Sequence, residues 1–135
     1  MDGPDRLVLV KVPGRALPEW PHHELPDGVL TTLTAIVHAI HRRGVAIADL
    51  HRSNVLVAED GGVYLLDLAV ARVARHPLRP GPIIRALQTL DLHAVERIRA
   101  WATGLEEPRP SGLFGATYRA FRLIKRFVSA EKPRR

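Results

Sequence analysis

The chain has 135 residues, 46% of them hydrophobic and 25% charged, with a mean hydropathy of −0.04, which is the size and apolar share of one small domain rather than two. It has no cysteine, so disulfides, thiolate metal sites and cysteine nucleophiles are excluded, and seven His and fourteen carboxylates remain as candidate ligands and bases. The net charge of +6 is local: residues 119–135 hold seven basic residues against Glu131, and residues 1–118 balance.

No uncharged apolar run reaches the roughly 18 residues that a membrane-spanning helix needs. The acidic start Met1-Asp2-Gly3-Pro4-Asp5 is unlike a signal peptide, so a cytoplasmic protein is expected. A neutral body with a basic end also argues against a domain that is basic all over, and no specific nucleic-acid partner is expected.

Arg6 to Val12 is a short apolar, β-branched run ending at Pro13-Gly14, which predicts a buried strand and a turn. Arg15 to Pro26 carries three prolines and reads as a connector with at most one helical turn, tied down at Trp20. From Asp27 to Arg43 the residues Val29, Leu30, Leu33, Ile36, Val37 and Ile40 form one stripe at helical spacing. Asp27 is expected to cap that helix, His41-Arg42-Arg43 to face its C-terminal dipole, and Gly44 to end it in the left-handed conformation. Val55 to Ala58 and Val63 to Leu66 flank Glu59-Asp60-Gly61-Gly62 and predict a hairpin. The stretch from Arg72 to Pro82 is expected to be irregular, with a short helix at 83–90, a second at 91–103 ended by Gly104, and a final helix at 113–129 with Arg119, Arg122 and Arg126 outward.

The segment with chemical content is Ile47-Ala48-Asp49-Leu50-His51-Arg52-Ser53-Asn54, followed by the hairpin and then Leu66-Asp67-Leu68-Ala69. Asp49, Asn54 and Asp67 stand at intervals of 5 and 13. A loop carrying the first two and a hairpin returning the third converge three oxygen-bearing side chains on one pocket, and hard oxygen ligands suit Mg²⁺ and, through it, nucleotide phosphates.

At these residues the sequence resembles the protein-kinase-like superfamily, whose catalytic loop of form H-x-D-x-x-x-x-N is followed by a hairpin and a D-F-G-type motif. Asp-Leu-His-Arg-Ser-Asn-Val-Leu-Val resembles the eukaryotic protein kinases less than the bacterial lipopolysaccharide-kinase, RIO-like and aminoglycoside-phosphotransferase-like branches. The resemblance covers about Leu7 to Arg72 and implies an α+β, mostly α, kinase-like C-terminal lobe with one N-terminal strand and a catalytic-loop hairpin. Residues 1–17 would be the last N-lobe strand and hinge, with the backbone of Val10 and Val12 against an adenine. Residues 27–44 would be the long helix, 45–72 the catalytic loop, hairpin and metal motif, 83–129 the C-terminal helices and 130–135 a basic tail.

Carried onto these positions, the resemblance implies that Asp49 takes the proton of an acceptor hydroxyl, that His51 reaches the transferring phosphate, and that Asn54 and Asp67 hold Mg²⁺ on ATP. The implied activity is ATP-dependent phosphoryl transfer to a saccharide, lipopolysaccharide-type or protein hydroxyl. Ile47, Ala48 and Ala69 depart from the family pattern, which has His, often Arg, and Gly there. The glycine-rich loop and phosphate-binding Lys have no counterpart, so the chain alone reads as incomplete for transfer. A non-catalytic pseudokinase or remnant, binding a protein partner through the face an N-lobe would cover, is the alternative. His38 and His41, at i and i+3, could ligate a metal, but the plainer reading puts His41 at the helix end and His38 on the surface. The basic last helix reads first as a solvated face, and otherwise as a contact for an anionic membrane surface or a phosphate-rich substrate.

Overall fold

The computed structural model describes residues 11–21, 24–108 and Gly115. The expected strand at 6–12 falls mostly outside that range, and Lys11 and Val12, its described part, are irregular. The last helix expected at 113–129 and the basic tail at 130–135 also lie outside the described residues, apart from Gly115, and the anionic partner expected for them goes with them.

The described residues form a small α+β unit of two helices and two small antiparallel sheets. Strand β1 (Arg15–Ala16) leads into a 3-10 turn at Leu17–Glu19, and helix α1 spans Val29–Arg42. Strand β2 (Val45–Ala46) precedes the loop with Asp49, which ends in a 3-10 turn at Arg52–Asn54. Strands β3 (Val55–Val57) and β4 (Val63–Leu65) make the hairpin, followed by β5 (Arg72–Val73) and helix α2 (Pro82–Ala102). None of the helices among the described residues is long and apolar enough to cross a membrane.

The hairpin is as expected. Val55 pairs with Leu65 and Val57 with Val63, and Gly61 at φ +83° turns the chain, with Gly61 N donating to Ala58 O and Ala58 N to Gly62 O. Strand β3 is central, because β1 adds to its other edge with Arg15 opposite Val57. Trp20 is tied down as expected, 5% exposed, with the Arg15 guanidinium 3.9 Å from its ring centroid.

Helix α1 buries Val29, Leu33 and Val37, the stripe read from the sequence. Its start differs from expectation: Gly28 at φ +82° is the N-cap and makes no side-chain cap, so Asp27 does not fill that role. Its end is as expected, at Gly44 with φ +72°, and that glycine is required twice over, because a Cβ there would meet Pro77 Cα at 2.6 Å. Pro77 comes so close because β5 returns along β2, pairing Val45 with Val73, and Ala74 N donates to Gly44 O at 2.7 Å. The stretch after Arg72 is therefore not wholly irregular. Its prolines begin only at Pro77, which leaves Arg72 and Val73 able to pair.

The two short helices expected at 83–90 and 91–103 are one helix of 21 residues, starting behind Gly81 with Pro82 in its first turn and stopping at Gly104, φ +69°. Asp91, the first residue of the second expected helix, is interior to the single one. It sits on the buried face with Leu87, Val95 and Ile98, 1% exposed, because its carboxylate is fully used elsewhere. Oδ2 accepts from Ile47 N at 2.8 Å and from His41 Nε2 at 2.9 Å, and Oδ1 accepts from Ala48 N at 2.8 Å. One turn earlier, Gln88 Nε2 donates to His41 O and Val45 O, both at 3.2 Å. His41 stands in the last turn of α1 as expected and in addition bonds to Asp91, while His38 is on the surface as expected.

Two predictions follow from this packing. Replacing Asp91 with Ala strands two buried N–H groups and one imidazole, each worth roughly 1–3 kcal/mol when unsatisfied, so a loss of about 3 kcal/mol or more in urea unfolding is expected. Asp91→Asn keeps one acceptor and should lose less.

The second concerns His93, on the seam of α2 facing Thr34 and His38 of α1. Burial, then the neighbouring Arg97, lowers its pKa below the ordinary 6.5, against a smaller opposing pull from Glu96. The folded state therefore holds the neutral imidazole and the unfolded chain binds the proton more readily, so this stability is full above pH 6.5 and is lost as pH falls through the folded pKa. The unfolding midpoint of wild type should fall relative to that of His93→Gln as the pH is taken from 7.5 to 5.

Candidate functional site

The loop between β2 and β3 is held from behind. Asp91 grips Ile47 N and Ala48 N, so Ile47 points into the core at 2% exposure and Ala48 is forced to φ +65°, a left-handed conformation costly for a residue with a Cβ. The chain then reverses and presents Asp49, while Leu50 returns to the core. Asp49 is part-buried, with its side chain 25% exposed.

Asn54 closes the loop. Its Nδ2 donates to the Asp49 backbone O at 3.2 Å and its backbone N to His51 O at 2.9 Å, so the amide oxygen is the atom it can offer to a ligand. The hairpin brings back the third residue: Leu66 N donates to Asn54 O at 2.8 Å, which places Asp67 one residue beyond that bond. Asp67 is exposed, adopts φ +57°, and folds Oδ1 onto Ala69 N at 3.2 Å. Two of the strained non-glycine residues, Ala48 and Asp67, thus bracket the site, one before Asp49 and one at the carboxylate itself.

His51 is half-exposed, and its Nε2 lies 3.9 Å from Asp49 Oδ1, too long for a hydrogen bond and close enough for an electrostatic contact. The structure therefore gathers Asp49, His51 and Asn54 on one loop and sets Asp67 beside Asn54. Val12 is half-buried and stands three residues before Arg15, which pairs with Val57. Val10 lies outside the described residues.

Among the described residues no group of three or more His, Cys, Asp or Glu is gathered as a metal site, so the expected pair of oxygen ligands rests on one carboxylate and one amide. His38 and His41 form no such group either, since His41 is engaged by Asp91.

Sequence reading missed Asp91, Gln88 and His41 as the supports of the loop. The signal was present: an Asp four residues from Leu87 and Val95 and seven from Ile98 occupies the apolar face of its helix, where a carboxylate persists only with partners. It also missed the pair Arg97 and Glu107, joined by bonds of 2.9 and 3.0 Å on the outer side of the same loop. No protein-family model matches the chain, and no curated protein matches it.

The backbone strain at Ala48 gives a direct test. Ala48→Gly should leave unfolding free energy within about 0.5 kcal/mol of wild type, because strain relief offsets the added chain entropy, whereas Ala48→Val should cost about 2 kcal/mol. Urea denaturation of both variants checks the pair.

Proposed function

We propose that the chain is the catalytic lobe of a kinase-like phosphotransferase, moving the terminal phosphoryl group of ATP to an acceptor hydroxyl. The observation that carries this reading is a loop bearing Asp49 and Asn54 whose backbone is locked by a buried carboxylate, with the hairpin returning the chain so that Asp67 follows the bond from Leu66 N to Asn54 O. Locking matters because phosphoryl transfer depends on positioning and electrostatic stabilisation more than on covalent work by the protein.

Asp49 is the group that orients the acceptor hydroxyl and receives its proton. The acceptor oxygen forms a bond to phosphorus as the bond from phosphorus to the bridging oxygen breaks, and that electron pair leaves with the diphosphate. His51, beside Asp49, supplies a donor toward the transferred group. The donor set fits Mg²⁺: Asn54 and Asp67 offer two hard oxygens, and this ion usually takes one or two protein oxygens and completes its shell with phosphate and water. Bound there, it would neutralise charge on the phosphates.

A second reading, a non-catalytic module that binds a protein partner, has its own support. Tyr64, Leu66, Leu68 and Val70 alternate through β4 and past Asp67 and are all exposed, which leaves an apolar strip beside the site. The two readings part on nucleotide binding. Wild type should bind an ATP analogue in a Mg²⁺-dependent manner by calorimetry, and Asp67→Ala should abolish this while leaving the protein folded, at a cost of about 1 kcal/mol in urea unfolding for the lost bond to Ala69 N at positive φ. Absence of Mg²⁺-dependent binding in the folded wild type would favour the partner-binding module.

A further inference from the structure

The loop that carries Asp49 has a second face, turned toward α2. There His51 and Arg52 stand across from Arg97 and Ile98, and Glu107 lines the same cleft, whose volume is about 170 Å³. Pockets for drug-sized ligands run from roughly 300 to 1,000 Å³, so this one suits a fragment the size of a single sugar ring.

Its charge is arranged. Glu107 Oε2 accepts from Arg97 Nε at 3.0 Å and lies 2.9 Å from Arg97 Nη2, while Oε1 is 4.0 Å from Arg52 Nη1. Arg52 is steadied in turn by the Trp101 ring, 5.1 Å from its guanidinium carbon. Two guanidinium groups therefore converge on one carboxylate contributed by the chain itself. All three side chains are only 36–40% exposed, so their interactions are partly shielded from solvent. His51 belongs both to this cleft and to the contact with Asp49, which places the cleft one imidazole away from the proposed base.

We propose that this cleft is the acceptor site, and that it takes a sugar-sized hydroxyl compound bearing an anionic group, phosphate or carboxylate. Arg97 and Arg52 hold that group, and Glu107 occupies its place when the cleft is empty. The assignment of the ligand as an acceptor rests on the phosphotransfer reading of Asp49; the binding chemistry does not. Planar guanidinium groups favour such oxyanions through paired, charge-assisted hydrogen bonds.

The test is titration of the chain, without nucleotide, with glucose 6-phosphate, glucuronate, glucose and inorganic phosphate, read by calorimetry and by the fluorescence of Trp101, with Trp101→Phe as the optical control. Saturable binding of one or both charged sugars is expected, at least tenfold tighter than glucose and than inorganic phosphate, and the tighter of the two charged sugars identifies the anionic group. Arg97→Ala should weaken that binding at least tenfold, and Arg97→Lys less. Glu107→Gln, which keeps the side-chain volume and removes the competing charge, should tighten it severalfold. Failure of all four probes to bind, equal binding of glucose, inorganic phosphate binding as tightly as the sugar phosphate, or Glu107→Gln without effect would each overturn the proposal. The same titrations on Asp67→Ala separate the two readings: charged-sugar binding that persists there, in a protein whose wild type binds no Mg²⁺-nucleotide, would retain the anion cleft and reject the transfer reading.

Discussion

The carboxylate of Asp91 fixes the geometry on which the rest depends. It is 1% exposed and accepts three hydrogen bonds from two other parts of the chain, the end of α1 through His41 and the start of the loop through Ile47 and Ala48. A buried carboxylate with fewer partners would be costly, and removing it would leave two buried amides with none. Its reach ties the helix that ends at Gly44, the loop that presents Asp49 and the long helix α2 into one arrangement. Gln88, one turn away, satisfies the carbonyl of His41 at the end of α1 and that of Val45 in β2, so the same helix face serves both sides of the connection.

Periodic and punctuated features were legible in the sequence: the α1 stripe, its stop at Gly44, the hairpin around Gly61, the anchoring of Trp20 and the stop at Gly104. Each is governed by residues within a turn or two of one another. What could not be read depends on distant partners. The expected boundary between 90 and 91 is absent, and Asp91 is held on the buried face by partners 43 to 50 residues away. Strand β5 was hidden for the same reason, being two exposed residues that pair only because β2 lies alongside. At N-caps the local rule itself was outcompeted, since Gly28 at positive φ took the place expected of Asp27.

The candidate site shows the same division. Spacing alone suggested that Asp49, Asn54 and Asp67 meet, and the hairpin register with the bond from Leu66 N to Asn54 O brings the last two side by side. The sequence did not disclose that the loop has two faces. One carries the oxygen ligands; the other looks onto Arg97 and Glu107, which lie ten residues apart across the end of α2.

The separation between the loop and its anchor also orders events during synthesis. Ile47 and Ala48 are bonded to a residue 44 and 43 positions later, while the β3–β4 hairpin closes across only a few residues. At roughly 5–20 residues per second, Asp91 is added about 2–9 seconds after the amides it will hold. For that interval the hairpin can already form in microseconds, but the strained turn at Ala48 has nothing to keep it. The nascent chain therefore carries a formed scaffold and an unformed loop, and the site becomes rigid only when α2 docks.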